Sequence, residues 1–415
     1  MTRPGDWIPK DALIAANLFA GISWIALFAL ATSGVEPGSL PSLAFVHLVA
    51  LGWLSLAALS VLIHVTPAFL GVSWRFESLA RNALRGFAIA VAALVLGFAT
   101  ANTTLLEWAG LLTLATLTLY LVPASVTIAR AFSGSRQEAA IARALLSTLG
   151  AFVVTAALGA LFALALNGRA NAGFLTTLPP AHAVLGIAGW LTLLIFGVST
   201  RTMRAINGTG SRWPASHIIA STLVLLGALA FAIAAFVPQP WLFASAGAAF
   251  ALGVTAYAAN LVDILRRNAA PNRIPQAFVA AAIVWLLGAL VLGIGTMNGR
   301  PWGAAFVYVA LVGWLGQMVN AHVFHIGIRL LITTVRGDDD ETRPWAVLNQ
   351  PLAWTAWSCF QVAAGLGTLG LVIQFRAEVS FAALAGLIGW LTMVTAVFAT
   401  YRRLRATAPE IARAP

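Results

Sequence analysis

His47-Leu-Val-Ala-Leu-Gly-Trp-Leu-Ser-Leu56 is a nearly continuous apolar run with a histidine at its head and a Gly-Trp pair at its centre. Between residues 41 and 70 the only ionisable side chains are His47 and His64. A stretch this long and this apolar reads as a helix that crosses a bilayer, which takes roughly 20 residues. The same pattern recurs twice. One copy reads His182-Ala-Val-Leu-Gly-Ile-Ala-Gly-Trp-Leu-Thr-Leu193 and the other Tyr308-Val-Ala-Leu-Val-Gly-Trp-Leu-Gly-Gln317. The Gly-Trp pairs stand at 52–53, 189–190 and 313–314, so successive pairs are 137 and 124 residues apart.

The rest of the chain agrees with a membrane protein. Of 415 residues 60% are hydrophobic and 9% charged, with a mean hydropathy of +0.90. An average soluble domain carries about 25% charge. Too little polar surface remains to cover a soluble globule, which excludes a soluble enzyme, a secreted disulfide scaffold and a disordered regulator. Cys359 is the single cysteine, so no internal disulfide forms. Ala29-Leu30-Ala31 resembles a signal-peptidase site, but the apolar stretch from Leu13 is too long for a signal core and reads as the first span.

Twelve spans are expected, the first at about 12–33 and the last at about 379–401. The repeated motifs fall in the second (41–70), sixth (179–203) and tenth (302–332). The breaks are short; the longest, from Gly337 to Pro344, holds the acid run Asp338-Asp339-Asp340-Glu341 and reads as a solvated loop. In a twelve-span layout 21 of the 24 Lys and Arg fall on one side, leaving only Arg169, Arg300 and Arg376 on the other. The positive-inside rule then places both termini in the cytoplasm. A net charge of +11 spread in this way reports topology rather than a nucleic-acid footprint.

The fold expected is an all-α integral membrane protein, a single transmembrane domain of twelve helices in three four-helix arcs with pseudo-threefold symmetry. The repeat boundaries fall near 1–138, 139–273 and 274–415. A fourth Gly-Trp pair at 389–390 lies outside this register.

Five of the six histidines lie on the three repeat-related spans. Twelve residues beyond each glycine come His64, Arg201 and His325; five before come His47 and Tyr308, with His182 within a turn of that level. Two layers result. His47, His182 and Tyr308 form an outer one, and His64, His322 and His325 an inner one. On a helix His47 and His64 stand roughly 25 Å apart, so one metal cannot bind both. Ionisable groups inside a bilayer are functional candidates, and neutral imidazole is a natural ligand for haem iron and copper. His64 with His325, or with His322 one turn earlier, would supply two axial ligands. Arg201 and Arg329 would then neutralise propionates. The outer set would form a second site, with Tyr308 as the candidate catalytic side chain. Interhelical hydrogen bonding accounts for any single histidine equally well. For His217, near the membrane edge after Trp213-Pro214, it is the better account.

With these residues in place, the chain resembles the haem-copper oxidase superfamily. It is most similar to the short single-chain relatives of catalytic subunit I and to the NnrS-type haem- and copper-containing membrane proteins. The resemblance rests on the run from His47 through Gly52 to Pro67 and on that from His182 to Thr200-Arg201. It implies that His47 is a low-spin haem ligand and His182 a copper ligand. It also implies redox or gas chemistry, with nitric oxide or oxygen handling, and an electron-donor protein as partner. Any enzymatic activity would be that of an oxidoreductase of the oxidase or nitric oxide reductase class. The resemblance further implies adjacent histidines on the seventh helix, where this chain has only His217, and a His-x-His pair on the tenth, where it has His322-x-x-His325. The acids sit near span ends, so a proton-pumping terminal oxidase is not expected. Without Cys-x-x-Cys-His, haem of the b type is expected rather than covalent c-type haem, with copper a second candidate. The location implied is a bacterial-type cytoplasmic membrane. A transporter for a metal ion or small molecule, without haem, is the alternative class; a structural or assembly subunit is the third.

Overall fold

A computed structural model describes residues 9–337 and 340–407. Twelve of its helices are long and apolar enough to cross a membrane. They are α1 (Lys10–Thr32), α2 (Leu40–Leu70), α3 (Glu77–Ala99), α4 (Thr103–Ser133), α5 (Arg136–Leu166) and α6 (Phe174–Asn207). There follow α7 (Ala215–Phe236), α8 (Pro240–Arg266), α9 (Arg273–Met297), α10 (Gly303–Arg336), α11 (Gln350–Ile373) and α12 (Arg376–Ala406). Among the described residues there is no strand. Arg3, Arg413, Asp338 and Asp339, which entered the charge reading, lie outside the described residues.

Helix ends follow local chemistry. Ser135 accepts from the Glu138 amide while the Glu138 carboxylate accepts from the Ser135 amide, a reciprocal cap that starts α5. α2, α6 and α10 stop at Gly71, Gly208 and Gly337, whose φ angles of 64°, 72° and 99° suit glycine best.

α2, α6 and α10 form the centre of the bundle. In their most apolar windows 61%, 61% and 78% of residues are buried, against 33–44% in the other nine helices. The outer helices pack around them. α3 lies along α4, α7 along α8 and α11 along α12, and the circuit closes where α12 meets α1. That closure is reciprocal: Trp24 of α1 fills the space over Gly386, and Trp390 of α12 fills the space over Gly21. The Trp390 indole also donates to Asn17 Oδ1 at 2.7 Å. Trp390 of the out-of-register pair thus serves the α1–α12 seam, while Gly389 lies against Cys359 and Phe360 of α11.

The three in-register pairs do something different. Each central helix contains a segment of i→i+5 hydrogen bonding, at Leu48–Ser55, Leu185–Thr192 and Val309–Leu315. All three begin four residues before the glycine. Such wide turns are uncommon and concentrate at functional sites. At each glycine a side chain from another helix approaches closely: Phe19 of α1 over Gly52 and Trp285 of α9 over Gly313 leave no room for a Cβ, and Ala151 of α5 would stand 3.2 Å from one at Gly189. Each tryptophan reaches the opposite way, to the next central helix. Trp190 Nε1 donates to Ser55 Oγ at 2.8 Å, and Trp314 Nε1 to Thr192 Oγ1 at 3.1 Å. The Trp53 ring lies against Gly316, where a Cβ would stand 3.2 Å from its edge. Ser55, Thr192 and Gly316 each stand three residues after their glycine. The clasp runs α6 to α2, α10 to α6 and α2 to α10, a closed loop of buried indoles.

Candidate functional site

Beside the indole clasp, toward the end of the bundle opposite the termini, lies a cavity of about 1080 Å³. Trp190 and Ser55 line its inner part, and Glu36, Pro301 and Arg376 line its rim. Across that rim Arg376 Nη2 pairs with Glu36 Oε1 at 2.6 Å, tying the α1–α2 loop to the start of α12. The pair is largely exposed and contributes at most about 1 kcal/mol to stability.

His47 and His182 line the cavity. His47 Nδ1 stands 2.8 Å from the Leu43 carbonyl of its own helix, and His182 Nδ1 stands 2.9 Å from the Thr155 carbonyl of α5. A carbonyl only accepts, so each Nδ1 carries the proton and each Nε2 keeps its lone pair. No hydrogen bond to either Nε2 is formed among the described residues. The His47 ring lies 4.5 Å from that of Phe98, at 22° to it. His182 lies over Gly159, where a Cβ would stand 2.9 Å from Cε1 and 3.2 Å from Nδ1. The centroids of the two imidazoles are 6.1 Å apart and their planes lie within 26° of parallel.

Tyr308 borders the same cavity, but its hydroxyl donates to the Ala363 carbonyl of α11 at 2.9 Å. Its ring fills the space over Gly367 and stacks on Phe45 at 6.3 Å. The phenol is therefore committed to the α10–α11 contact.

The inner residues are placed as follows. His64 is half-buried on α2, on the far side of the wide turn from His47. His322 Nδ1 donates to the Met318 carbonyl at 2.6 Å, and its Nε2 is buried without a hydrogen-bond partner. His325 lies within a second wide turn, Val323–Gly327, that begins just after His322, and its Nδ1 accepts from Asn272 Nδ2 at 2.8 Å. The structure thus brings His47 to His182, while no extensive packing joins the segment of α2 that carries His64 to the Val323–Gly327 turn. Arg329 donates to the Asp340 and Thr342 carbonyls, at 2.6 and 3.3 Å, and Arg201 Nε is buried without a partner. His217 is 3% exposed, with neither ring nitrogen hydrogen-bonded, and lies edge-on to Tyr257 at 5.8 Å. Its burial is deeper than its place near the start of α7 suggests.

Among the described residues no group of three or more His, Cys, Asp or Glu side chains is arranged to hold a metal ion. Several features of the site have no signal in the sequence: the Thr155 carbonyl, the space at Gly159 and the Phe98 contact. The 2% exposed Glu107 is another surprise; it accepts from Asn167 Nδ2 at 2.5 Å and Arg169 Nη1 at 2.8 Å. An Asn two residues before an Arg, in the loop facing Glu107, is the only cue the sequence offers for it.

No family model matches the chain, and no curated protein is significantly similar to it in sequence.

Proposed function

We propose that the chain is a haem-binding membrane protein of redox or gas chemistry, with His47 and His182 as the iron ligands. The observation that carries this reading is the pairing of two imidazoles 6.1 Å apart, each with Nδ1 bonded to a carbonyl, in one large cavity. If both Nε2 lone pairs were directed at one metal, bonds of roughly 2 Å would leave the ring centroids about 6 Å apart. A ligating histidine ordinarily gives its other N–H to a carbonyl or carboxylate, which fixes its tautomer and aim. The volume lies at the upper end of ordinary ligand pockets. Haem bound there would supply one-electron transfer or, if one axial position opened, binding of a diatomic gas.

The remaining roles belong to the chain. Leu43 and Thr155 hold the imidazoles in the ligating tautomer. Phe45 and Phe98 supply apolar walls, and Arg376, paired with Glu36, stands at the rim as a cation that could exchange that partner for a ligand carboxylate. The clasp of Trp53, Trp190 and Trp314 separates this site from the inner half. Copper fits less well, because two histidines leave its shell incomplete. The inner set of His64, His322, His325, Arg201 and Arg329 is the second candidate for the haem site.

We also read the bundle as three four-helix repeats in pseudo-threefold arcs. Support comes from the equal offsets of the three wide turns, the cyclic indole clasp and the three hairpins α3–α4, α7–α8 and α11–α12. With both termini in the cytoplasm, as the basic residues indicate, the cavity opens on the outer face of a bacterial-type cytoplasmic membrane. An electron-donor protein would then approach that face. One observation favours a transporter instead: a cavity with its rim at one end and an aromatic clasp at the other is also the shape of an outward-facing vestibule.

The test is haem content, read as oxidised and dithionite-reduced spectra with iron analysis on protein expressed with haem supply. His47→Ala/His182→Ala should lose the Soret band while His64→Ala/His325→Ala keeps it. The reverse result would move the site inward. Colourless wild-type protein without iron would overturn the haem reading and leave the transporter leading.

A further inference from the structure

A second, smaller cavity of about 170 Å³ lies between α6, α7, α8, α9 and α10. Its walls are aliphatic and aromatic, with Val184, Val224, Phe250 and Ala289 among them. Only Thr192, Thr296 and Trp314 bring polar side-chain atoms to it, and each is already engaged. Trp314 Nε1 donates to Thr192 Oγ1, and Thr296 Oγ1 donates to the Leu292 carbonyl at 2.9 Å. A water molecule needs two to four polar partners to be held, and enclosed apolar cavities stay dry and take up xenon or small hydrocarbons; this one is apolar in the same way but open on one side.

Position gives the chamber a role. Ile187, in the wide turn of α6, lines both this chamber and the histidine cavity, so the two pockets meet at this residue. On the opposite side the chamber reaches Ile294 and Met297, each 43% exposed on the flank of the bundle. Small apolar molecules concentrate in the hydrocarbon of a bilayer, so a flank opening is where they would enter.

We infer that this chamber binds small, uncharged apolar molecules of about the size of xenon or a diatomic gas, taken from the bilayer and held next to the histidine cavity, with Ile187 as the partition. The binding itself rests only on the chamber's shape and lining; its service to a cofactor in the histidine cavity rests on the function proposed above.

Xenon under pressure is the probe, read by anomalous scattering from crystals of the whole chain. A xenon peak is expected against Ala289, Phe250 and Trp314 in the wild type. The same peak is expected in His47→Ala/His182→Ala, so loss of haem and loss of the chamber are separate results. Gly247→Leu should abolish it, because a Cβ at 247 meets only Met297 Cε, at 3.7 Å, and the longer side chain has the chamber to fill. Ile187→Ala should add a second peak on the histidine side of residue 187. Crystals that show xenon elsewhere but none here would overturn the inference, as would ordered water or an acyl chain in the chamber. Density in Ile187→Ala that stays confined to the chamber would overturn the role of Ile187 as the partition.

Discussion

The indole clasp makes a quantitative prediction through the pair Trp190–Ser55. Both residues are buried, at 1% and 0% exposure, and the hydrogen bond is 2.8 Å long. Ser55→Ala removes the acceptor and strands a buried indole N–H, which costs about 1–3 kcal/mol. Trp190→Phe acts differently. Ser55 Oγ keeps its own bond to the Ala50 carbonyl at 2.6 Å, so no hydroxyl is orphaned. The loss there comes from the smaller ring, which gives up part of the stack on Phe152 at 4.3 Å and 5°. The double mutant should therefore be less destabilised than the two single changes together. Hydrogen bonds between membrane helices have coupling energies averaging about 0.6 kcal/mol and reaching about 1.7. Full burial at both ends places this pair in the upper half of that range, near 1 kcal/mol. Trp314–Thr192, at 3.1 Å, should couple in the same direction with a smaller value. The third contact has no hydroxyl. Gly316→Ser adds a Cβ 3.2 Å from both Trp53 and the Leu311 carbonyl, so it should destabilise by overpacking instead of gaining a bond. Reversible unfolding in mixed micelles, followed by circular dichroism, gives all the values needed. Coupling under about 0.3 kcal/mol at both pairs, within ordinary additivity error, would refute the clasp.

Two further predictions concern the site and the α10–α11 loop. Gly159→Ala puts a methyl group 2.9 Å from His182 Cε1 and forces the ring off the Thr155 carbonyl; haem content should fall with helicity and unfolding midpoint nearly unchanged, as absorbance and circular dichroism on one sample would show. A parallel loss of fold would assign His182 to packing. Asp340 accepts from the Thr342 amide at 2.7 Å and lies 3.6 Å from Arg336; hydrogen bonding to Thr342 first, then the Arg336 and Arg329 charges, hold its carboxyl below the ordinary 3.8. A depressed carboxylate contributes stability that is complete above its ordinary value and lost as pH falls through the lower folded one. Amide exchange in residues 340–348 should therefore be flat, once corrected for intrinsic rate, from pH 5 to 8 and should rise only in stronger acid, whereas Asp340→Asn should raise it at neutral pH.

The sequence disclosed the spans because membrane helices announce themselves by composition, and the core helices because their motifs repeat. The depth match of His47 with Tyr308 assumed regular helices, yet each of the three contains a wide turn. The comparison holds because the turns share one offset from the glycine, so whatever each does to register it does three times. The turns themselves were not legible. A helix apolar on every face has no periodicity whose slip would mark an inserted residue. Nor were the cavity and the Thr155 carbonyl, since one is missing volume and the other is backbone from a helix 27 residues earlier. Tyr308 illustrates a different limit. Its type and depth suggested chemistry, while its hydroxyl is held by Ala363.

The wide turns also explain how one helix serves two purposes. One inserted residue rotates everything beyond it by about 100°. On α2, His47 stands just before such a turn and Ser55 at its end, so the face that meets the cavity and the face that receives the neighbouring indole are set separately. A regular helix would tie the two faces together. The same separation operates on α6, where His182 precedes the turn and Thr192 closes it. On α10 the residue before the turn is Tyr308, turned into α11, and the cyclic pattern breaks there. Three equivalent helices therefore present two histidines and one tyrosine. The pair that remains is the one on which the haem proposal rests, whereas three converging imidazoles would have suited a bare metal ion better.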